Sequence, residues 1–221
     1  MDIPNLRINY NLGNLLREDL KNDPFDQFII WFDEAVKSAV MEPNAMALST
    51  VSKEGKPSLR MVLMKRFDCN GLMFFTNLQS RKSREIMDTS FVSANFFWKE
   101  LQRQVTIEGF AEKAGRQESE TYFASRPRGS QLSAWASSQD QIIPSREVLE
   151  DAYNAAEALY DGQAVPMPQF WGGFRIVPSR FEFWQGRPDR LHDRFQYVPV
   201  SSDRFQYTQI PAGWQIDRLS P

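Results

Sequence analysis

The sequence holds one cysteine, Cys69, and one histidine, His192. A single thiol excludes an internal disulfide framework and any Cys-based zinc site. A single imidazole excludes a His-rich metal centre, so no metal is expected. Redox chemistry in such a chain calls for an organic cofactor. No apolar run reaches membrane-spanning length, and Met1-Asp2-Ile3-Pro4-Asn5 lacks the basic-then-apolar pattern of a secretory signal. The expectation is a soluble protein of the reducing cytoplasm with no membrane partner. Net charge is also nearly absent: 26 Lys and Arg against 28 Asp and Glu give −2. That balance argues against a protein that grips nucleic acid through phosphates. It leaves room for a local basic pocket suited to a small anion. Neither G-x-G-x-x-G nor G-x-x-x-x-G-K-[ST] occurs, so a dinucleotide fold and a P-loop both lack support.

What is present is ordinary globular composition over 221 residues, enough to bury a core. A polar arm over 1–22 leads into Asp23-Pro24, an N-cap followed by proline at the first helical position. Phe25, Phe28, Ile29, Phe32, Ala35 and Val36 then recur at helical spacing to about residue 39. From residue 45 the period changes. Strands are predicted over 45–52, 58–67 and 72–76, joined by turns at 53–57 and 68–71, the second carrying Asn70-Gly71. A short helix over 80–87, with Ser80 as its cap, precedes strands over 91–98 and 104–111. Helices over 117–125, stopping at Pro127, and 145–160, closed by Gly162, precede late strands at 170–177, 180–184, 191–198 and near 214–219. Asp-Arg-Phe-Gln-Tyr occurs at 193–197 and again at 203–207, which reads as chance rather than a repeat architecture. Many antiparallel strands with a few helices between them predict an α+β fold built on a barrel, as one domain over 23–221 behind the arm.

Several cationic groupings invite a ligand. Arg81 and Lys82 follow the helix cap Ser80, where cations face the positive end of the helix dipole at a cost of some tenths of a kcal/mol. They are either a solvated pair or, with the helix N–H groups, an anion site. Arg60 and Lys65 have opposite parity on one predicted strand. Either a bulge reorients one of them, or they serve different sites. Tyr122 and Arg126, four apart, share a helix face, and Ser130 follows the Pro127 break. A phenol, a guanidinium and a hydroxyl together suit a phosphate. In Arg190-Leu191-His192-Asp193-Arg194, strand alternation puts Arg190, His192 and Arg194 on one face. Surface ion pairs return only about 0–1 kcal/mol each, so stability hardly explains the cluster, whereas an anionic ligand does. Trp184, just upstream, either packs in the core or flanks a planar ring.

These stretches resemble the pyridoxamine 5′-phosphate oxidase family. The resemblance rests on Arg60-Met61-Val62-Leu63-Met64-Lys65, Phe74-Phe75-Thr76-Asn77, Ser80-Arg81-Lys82, Arg103-Gln104-Val105, Tyr122-Phe123 with Ser125-Arg126-Pro127, Phe170-Trp171-Gly172-Gly173, Glu182-Phe183-Trp184-Gln185-Gly186, Arg190-Leu191-His192-Asp193-Arg194 and the ending Asp217-Arg218-Leu219-Ser220-Pro221. It runs from about residue 7 to the C-terminus. It implies an FMN-binding split β-barrel, mostly antiparallel with flanking helices, working as a homodimer with FMN at the interface. It assigns FMN contacts to Arg60, Met61, Val62, Leu63, Phe75, Thr76, Arg81, Lys82, Gln104, Gln139, Trp184 and Arg194. Position 140 would be a further contact. The family commonly has Ser there and this chain has Asp140. A carboxylate near a phosphate repels it, so Asp140 is expected to turn away or to contribute through its backbone.

By the same likeness Lys65, Tyr122, Arg126 and Ser130 hold the substrate phosphate, and Arg190 and His192 lie over the substrate ring as catalytic residues. Arg7 and Tyr10 match an N-terminal segment that closes over the site. The implied reaction oxidises pyridoxamine or pyridoxine 5′-phosphate to pyridoxal 5′-phosphate. Hydride leaves C4′ for flavin N5, and dioxygen takes the electrons on as hydrogen peroxide. The amine substrate also releases ammonia after imine hydrolysis. Two other readings stand beside it: a split-barrel flavin reductase using NAD(P)H, and a non-catalytic carrier of FMN or pyridoxal 5′-phosphate.

Overall fold

The structure, a computed structural model, describes residues 2–200 and 213–221. The second Asp-Arg-Phe-Gln-Tyr, at 203–207, lies outside the described residues. In chain order the elements are α1 (Pro24–Lys37), β1 (Ala45–Val51), β2 (Pro57–Leu63), β3 (Arg66–Asp68), β4 (Gly71–Asn77), α2 (Arg81–Thr89), β5 (Phe91–Trp98) and β6 (Arg103–Lys113). Then come α3 (Arg116–Ser125), α4 (Arg128–Ala136), α5 (Arg146–Leu159), β7 (Trp171–Gln185), β8 (Asp193–Pro199) and β9 (Trp214–Leu219).

All the described strands join one antiparallel sheet in the order β2-β1-β5-β6-β7-β4-β3, with β8 added on β7 and β9 on β8. The strand β7 is the spine. Its first half pairs with β4 (Phe74 opposite Phe174), its second half with β8 (Phe183 opposite Phe195), and β6 runs along both. Two separate strands, 170–177 and 180–184, were expected here. They are one strand, because a bulge at Ser179 of β7, opposite the Glu108–Gly109 step of β6, absorbs the irregularity beside Pro178. Gly109 is needed at that bulge, since a Cβ there would stand 2.1 Å from the Val177 carbonyl oxygen.

Helix α1 packs its buried face, Phe25, Phe28, Trp31 and Ala35, against the sheet. The Asp23 carboxylate accepts the Phe25 N–H at 2.8 Å, and Pro24 fills the first turn, as the sequence pattern required. Phe28, 1% exposed, lies 4.4 Å from Phe67 and 5.1 Å from Phe96 between ring centroids. Trp31 meets Phe183 edge-on at 5.3 Å. A second, smaller core of Phe123, Leu132, Ala156, Val165, Met167 and Trp171 sits under α3, α4 and α5.

Other differences from the sequence reading have local causes. The expected strand over 58–67 breaks after Leu63, where the Met64 N–H turns to Asn44 O and the Lys65 N–H to Met73 O. Helix α4 was not expected, since Pro127 was taken as a stop. Pro127 does follow the end of α3 at Ser125, but it is also the N-cap residue of α4, and Leu132 is that helix's one buried residue, so the apolar period is too weak to read. The expected strand over 191–198 begins only at Asp193, because 188–190 form a 3₁₀ turn. Ser80 stands at the N-cap of α2 but its side chain does not cap; it contacts Ser83 Oγ at 3.0 Å.

Phe28→Ala should cost about 3–5 kcal/mol in urea unfolding followed by tryptophan fluorescence, the range for emptying a buried phenylalanine site. Asp23→Ala should cost about 1 kcal/mol, the loss of one cap. Equal effects from the two would contradict this account of α1.

Candidate active site

A cavity of about 720 Å³ opens between β2, β4, α2, α3 and the segment that follows α4. Its floor is charged. Arg60 on β2 donates from Nη1 to Leu48 O at 3.1 Å and Thr50 Oγ1 at 2.6 Å, and from Nη2 to Ser58 Oγ. Arg81, the first residue of α2, donates from Nε to Glu85 Oε1 at 2.8 Å, one helical turn on. Glu85 is buried, and also accepts from the Thr50 and Ser58 hydroxyls and faces Arg60 Nη2 at 3.6 Å. Burial alone would raise its pKa. The hydrogen bonds from Ser58, Thr50 and Arg81, with the Arg81 charge, outweigh burial and hold it at about 2. Lys82 is 4% exposed and donates from Nζ to Thr76 Oγ1 and Ser80 Oγ, both at 3.1 Å. No carboxylate among the described residues forms an ion pair with it. Burial, aided by Arg60, pulls its pKa down, and Asp140 acts the other way. A buried ammonium held only by hydroxyls is a ready partner for an anion.

The other wall is aromatic. Phe75 stacks on Tyr122 (4.1 Å, 18°) and on Trp171 (5.5 Å, 6°). The Arg126 guanidinium lies 4.8 Å over Trp171, and its buried Nη1 has no hydrogen-bond partner among the described residues. Burial lowers the Arg126 pKa. An orphaned guanidinium nitrogen beside a cavity is costly unless something accepts from it. Lys65, Ser130, Met61, Val62, Leu63, Thr76 and Gln139 also line the cavity. The parity conflict between Arg60 and Lys65 is thereby resolved. The chain leaves the strand after Leu63, so both residues line one cavity.

Asp140 departs from expectation. It is not turned away, and it contributes its side chain rather than its backbone: the carboxylate accepts the Arg81 N–H at 2.6 Å, from a residue at φ +68°. The free N–H groups at the start of α2 and its dipole draw the carboxylate in. Its neighbours fix the segment, with the Thr76 hydroxyl donating to Gln139 Oε1 at 3.2 Å.

The remaining expected residues do not line this cavity. Gln104, Trp184 and Arg194 stand in register across β6, β7 and β8, forming one row. Tyr10 meets Trp184 edge-on at 5.7 Å, and His192 lies 4.6 Å from Trp184. The Tyr10 ring fills the place where a Cβ on Gly186 would stand. Arg7 lies exposed in the same arm. The arm is pinned where the Leu15 N–H reaches Asp193 Oδ2 at 3.1 Å and Arg187 Nη1 reaches Gly13 O at 2.9 Å. The expected three-cation face is not a strand face. Arg190 ends the 3₁₀ turn at φ +63°, after Asp189 at φ +54°, and only Arg194 lies in β8. Arg194 is neutralised by Glu182, with Nε and Nη2 each 2.8 Å from Oε1. His192 Nδ1 accepts the Arg187 N–H at 3.0 Å, which assigns its proton to Nε2. Burial, then Arg190 and Arg194, lower its pKa, so it is neutral at pH 7.

Sequence reasoning missed Glu85, which reads as an ordinary helix-surface charge. Its one signal was the i,i+4 spacing from Arg81.

Comparison with known proteins gives two family models, one described as pyridoxamine 5′-phosphate oxidase over residues 32–160 and one as the pyridoxine 5′-phosphate oxidase C-terminal dimerisation region over 171–221. The chain is 49% identical over 221 residues to pyridoxine/pyridoxamine 5′-phosphate oxidases of Rippkaea orientalis and of Bordetella pertussis, covering all of both chains. It is 48% identical to the chloroplastic enzyme 1 of Arabidopsis thaliana, covering all of this chain and 41% of that one. A crystal structure of PhzG from Burkholderia lata, in complex with tetrahydrophenazine-1-carboxylic acid, superposes with a TM-score of 0.84 at 29% identity, over 94% of this chain and 98% of that chain. An FMN-binding protein of Nostoc punctiforme shares the fold, with a TM-score of 0.68 at 14% identity over 91% of this chain and all of that one.

A folded-state pKa of about 2 for Glu85, below the ordinary 4.5, means stability that is present above pH 4.5 and lost as pH falls toward 2. Glu85→Gln should therefore cost on the order of 2–3 kcal/mol at pH 7 in urea unfolding, and the gap from wild type should close between pH 4.5 and 2. A gap that stayed constant with pH would refute this ion cluster.

Proposed function

The chain belongs to the pyridoxamine 5′-phosphate oxidase family, and from that premise we propose that it oxidises pyridoxamine or pyridoxine 5′-phosphate to pyridoxal 5′-phosphate with FMN as cofactor. The observation that carries this reading is one cavity lined by two separate cationic groups. Arg60, Arg81 and Lys82 form one, and Arg126 with Lys65 forms the other, beside the Phe75–Tyr122–Trp171 stack. The buried, carboxylate-free Lys82 and the orphaned Arg126 Nη1 both fit a reaction between two phosphate-tailed planar molecules.

We assign the cofactor phosphate to Arg60, Arg81 and Lys82, and contacts to the rest of FMN to Met61, Val62, Leu63, Phe75, Thr76 and Gln139. The substrate phosphate goes to Lys65, Tyr122, Arg126 and Ser130. When bound, FMN would supply the two-electron acceptor for hydride from C4′, with dioxygen as the final acceptor and hydrogen peroxide as the by-product. The protein's own work is positional. Charge-assisted hydrogen bonds to each phosphate restrict both molecules, which brings their reacting atoms together at reduced entropic cost. Arg190 orients the substrate ring and stabilises developing charge. His192, neutral and with its proton on Nε2, offers a donor rather than a base.

Gln104, Trp184, Arg190, His192 and Arg194 lie outside the cavity of their own chain. We infer a homodimer in which this surface of one chain faces the cavity of the other. All but Gln104 fall within the stretch that matches a dimerisation region. The arm over 1–22, ahead of the single domain over 23–221, serves as a lid through Arg7 and Tyr10, and Tyr10 already rests on Trp184.

Anaerobic addition of pyridoxamine 5′-phosphate should bleach the flavin, and air should restore it. Faster reduction by NAD(P)H would favour the reductase reading, and bound FMN without turnover would favour the carrier. Arg190→Ala should lower kcat/KM by about 10- to 100-fold with FMN retained, and Arg81→Ala should weaken FMN by a similar factor; both follow from losing a hydrogen bond to a charged group.

A further inference from the structure

The cavity floor carries three cations, Arg60, Arg81 and Lys82, against two carboxylates, Glu85 and Asp140. The two carboxylates play different parts. Glu85 lies behind the arginines, buried, with its oxygens used by Thr50, Ser58, Arg60 and Arg81. It holds the cations in place and does not face the cavity's contents. Asp140 is exposed, lines the cavity, and takes the Arg81 N–H at the start of α2. That N–H, with the side chains of Arg81 and buried Lys82, is the set of donors a phosphate monoester would use. The segment bearing Asp140 is held there by Asn77 Nδ2 to Ser137 O and by Thr76 to Gln139, so the carboxylate is presented rather than loosely placed.

We infer that Asp140 is a resident anion that competes with the cofactor phosphate for the N-terminus of α2, and so sets how tightly this protein holds FMN. The inference rests on the assignment of FMN phosphate to Arg60, Arg81 and Lys82. A phosphate entering this set must displace the Asp140 carboxylate from the Arg81 N–H, or bind beside a like charge. Either route weakens the phosphate contribution and leaves the isoalloxazine contribution unchanged. The residue thus determines selectivity for the phosphorylated over the unphosphorylated flavin.

The test uses the full chain, stripped of flavin and titrated with FMN and with riboflavin by fluorescence quenching. Asp140→Asn keeps the shape and removes the charge, and Asp140→Ser also removes the reach. Both variants should bind FMN roughly 3- to 30-fold more tightly, the range for relieving one like charge near a helix end. Their riboflavin affinity should match wild type. The flavin-free variants should also melt no higher than wild type, since a favourable helix-end charge has been lost, while the FMN-loaded variants should melt no lower than loaded wild type, because bound phosphate has already displaced or opposed that charge. Unchanged or weaker FMN binding in both variants would overturn the inference, as would equal tightening for FMN and riboflavin. If wild type itself showed no preference for FMN over riboflavin, the phosphate assignment would fall first.

Discussion

Glu85 is the fixed point of the cavity. Its carboxylate receives two hydroxyls, from β1 and β2, and two guanidinium groups, from β2 and α2. Burying a carboxylate is unfavourable unless every lone pair is used, and here the donors come from three different elements. The same contacts that make the burial tolerable therefore fix Arg60 and Arg81 relative to one another. Two guanidiniums this close would otherwise repel and wander. On the proposed reading, the cations assigned to the cofactor phosphate are aimed by a carboxylate set behind them.

A second constraint comes from β7. Through its bulge opposite Gly109 it serves β4 on one side and β8 on the other. The first half thus places Trp171 under Arg126 in the cavity wall, and the second half places Trp184 in the row with Gln104 and Arg194. One strand carries aromatic rings to two separate surfaces. The arm adds to the second surface, where Asp193 joins Leu15 N–H to Arg218 and Tyr10 rests on Trp184. Two adjacent left-handed residues, Asp189 and Arg190, turn the chain sharply before His192. Backbone strain of this kind persists only where the surroundings enforce it, and here Arg187 N–H to His192 Nδ1 closes the turn.

The elements most legible in sequence were those whose signals are local. Asp23-Pro24 announced α1, and its spacing of Phe25, Phe28 and Ala35 announced the buried face. The Asn70-Gly71 turn and the alternation on β1 announced the meander. The Arg81-Lys82 pair, in conflict with the helix dipole, marked the start of α2 as either a solvated pair or an anion site. Less was legible where one residue's role depends on a distant one. Pro127 read only as a stop, and it both follows the end of α3 and starts α4. Arg60 and Lys65 looked divided by parity until the strand ended between them. The Arg190, His192 and Arg194 face dissolved because a turn, not a strand, carries Arg190, and because Glu182 takes up Arg194.

Residue chemistry and short-range periodicity, together with motifs long enough to identify the family, were determined by the sequence by itself. They fixed the fold class, the family and most of the cationic inventory, because caps, turns and amphipathic spacing act over a few residues. Tertiary structure alone decided which charges are partnered. Glu85 became a buried clamp and Asp140 a guest at the start of α2 only when β1, β2, α2 and the segment after α4 converged. The burial and partners of an ionisable group are properties of the space around it, and that space is built by residues far away in the chain.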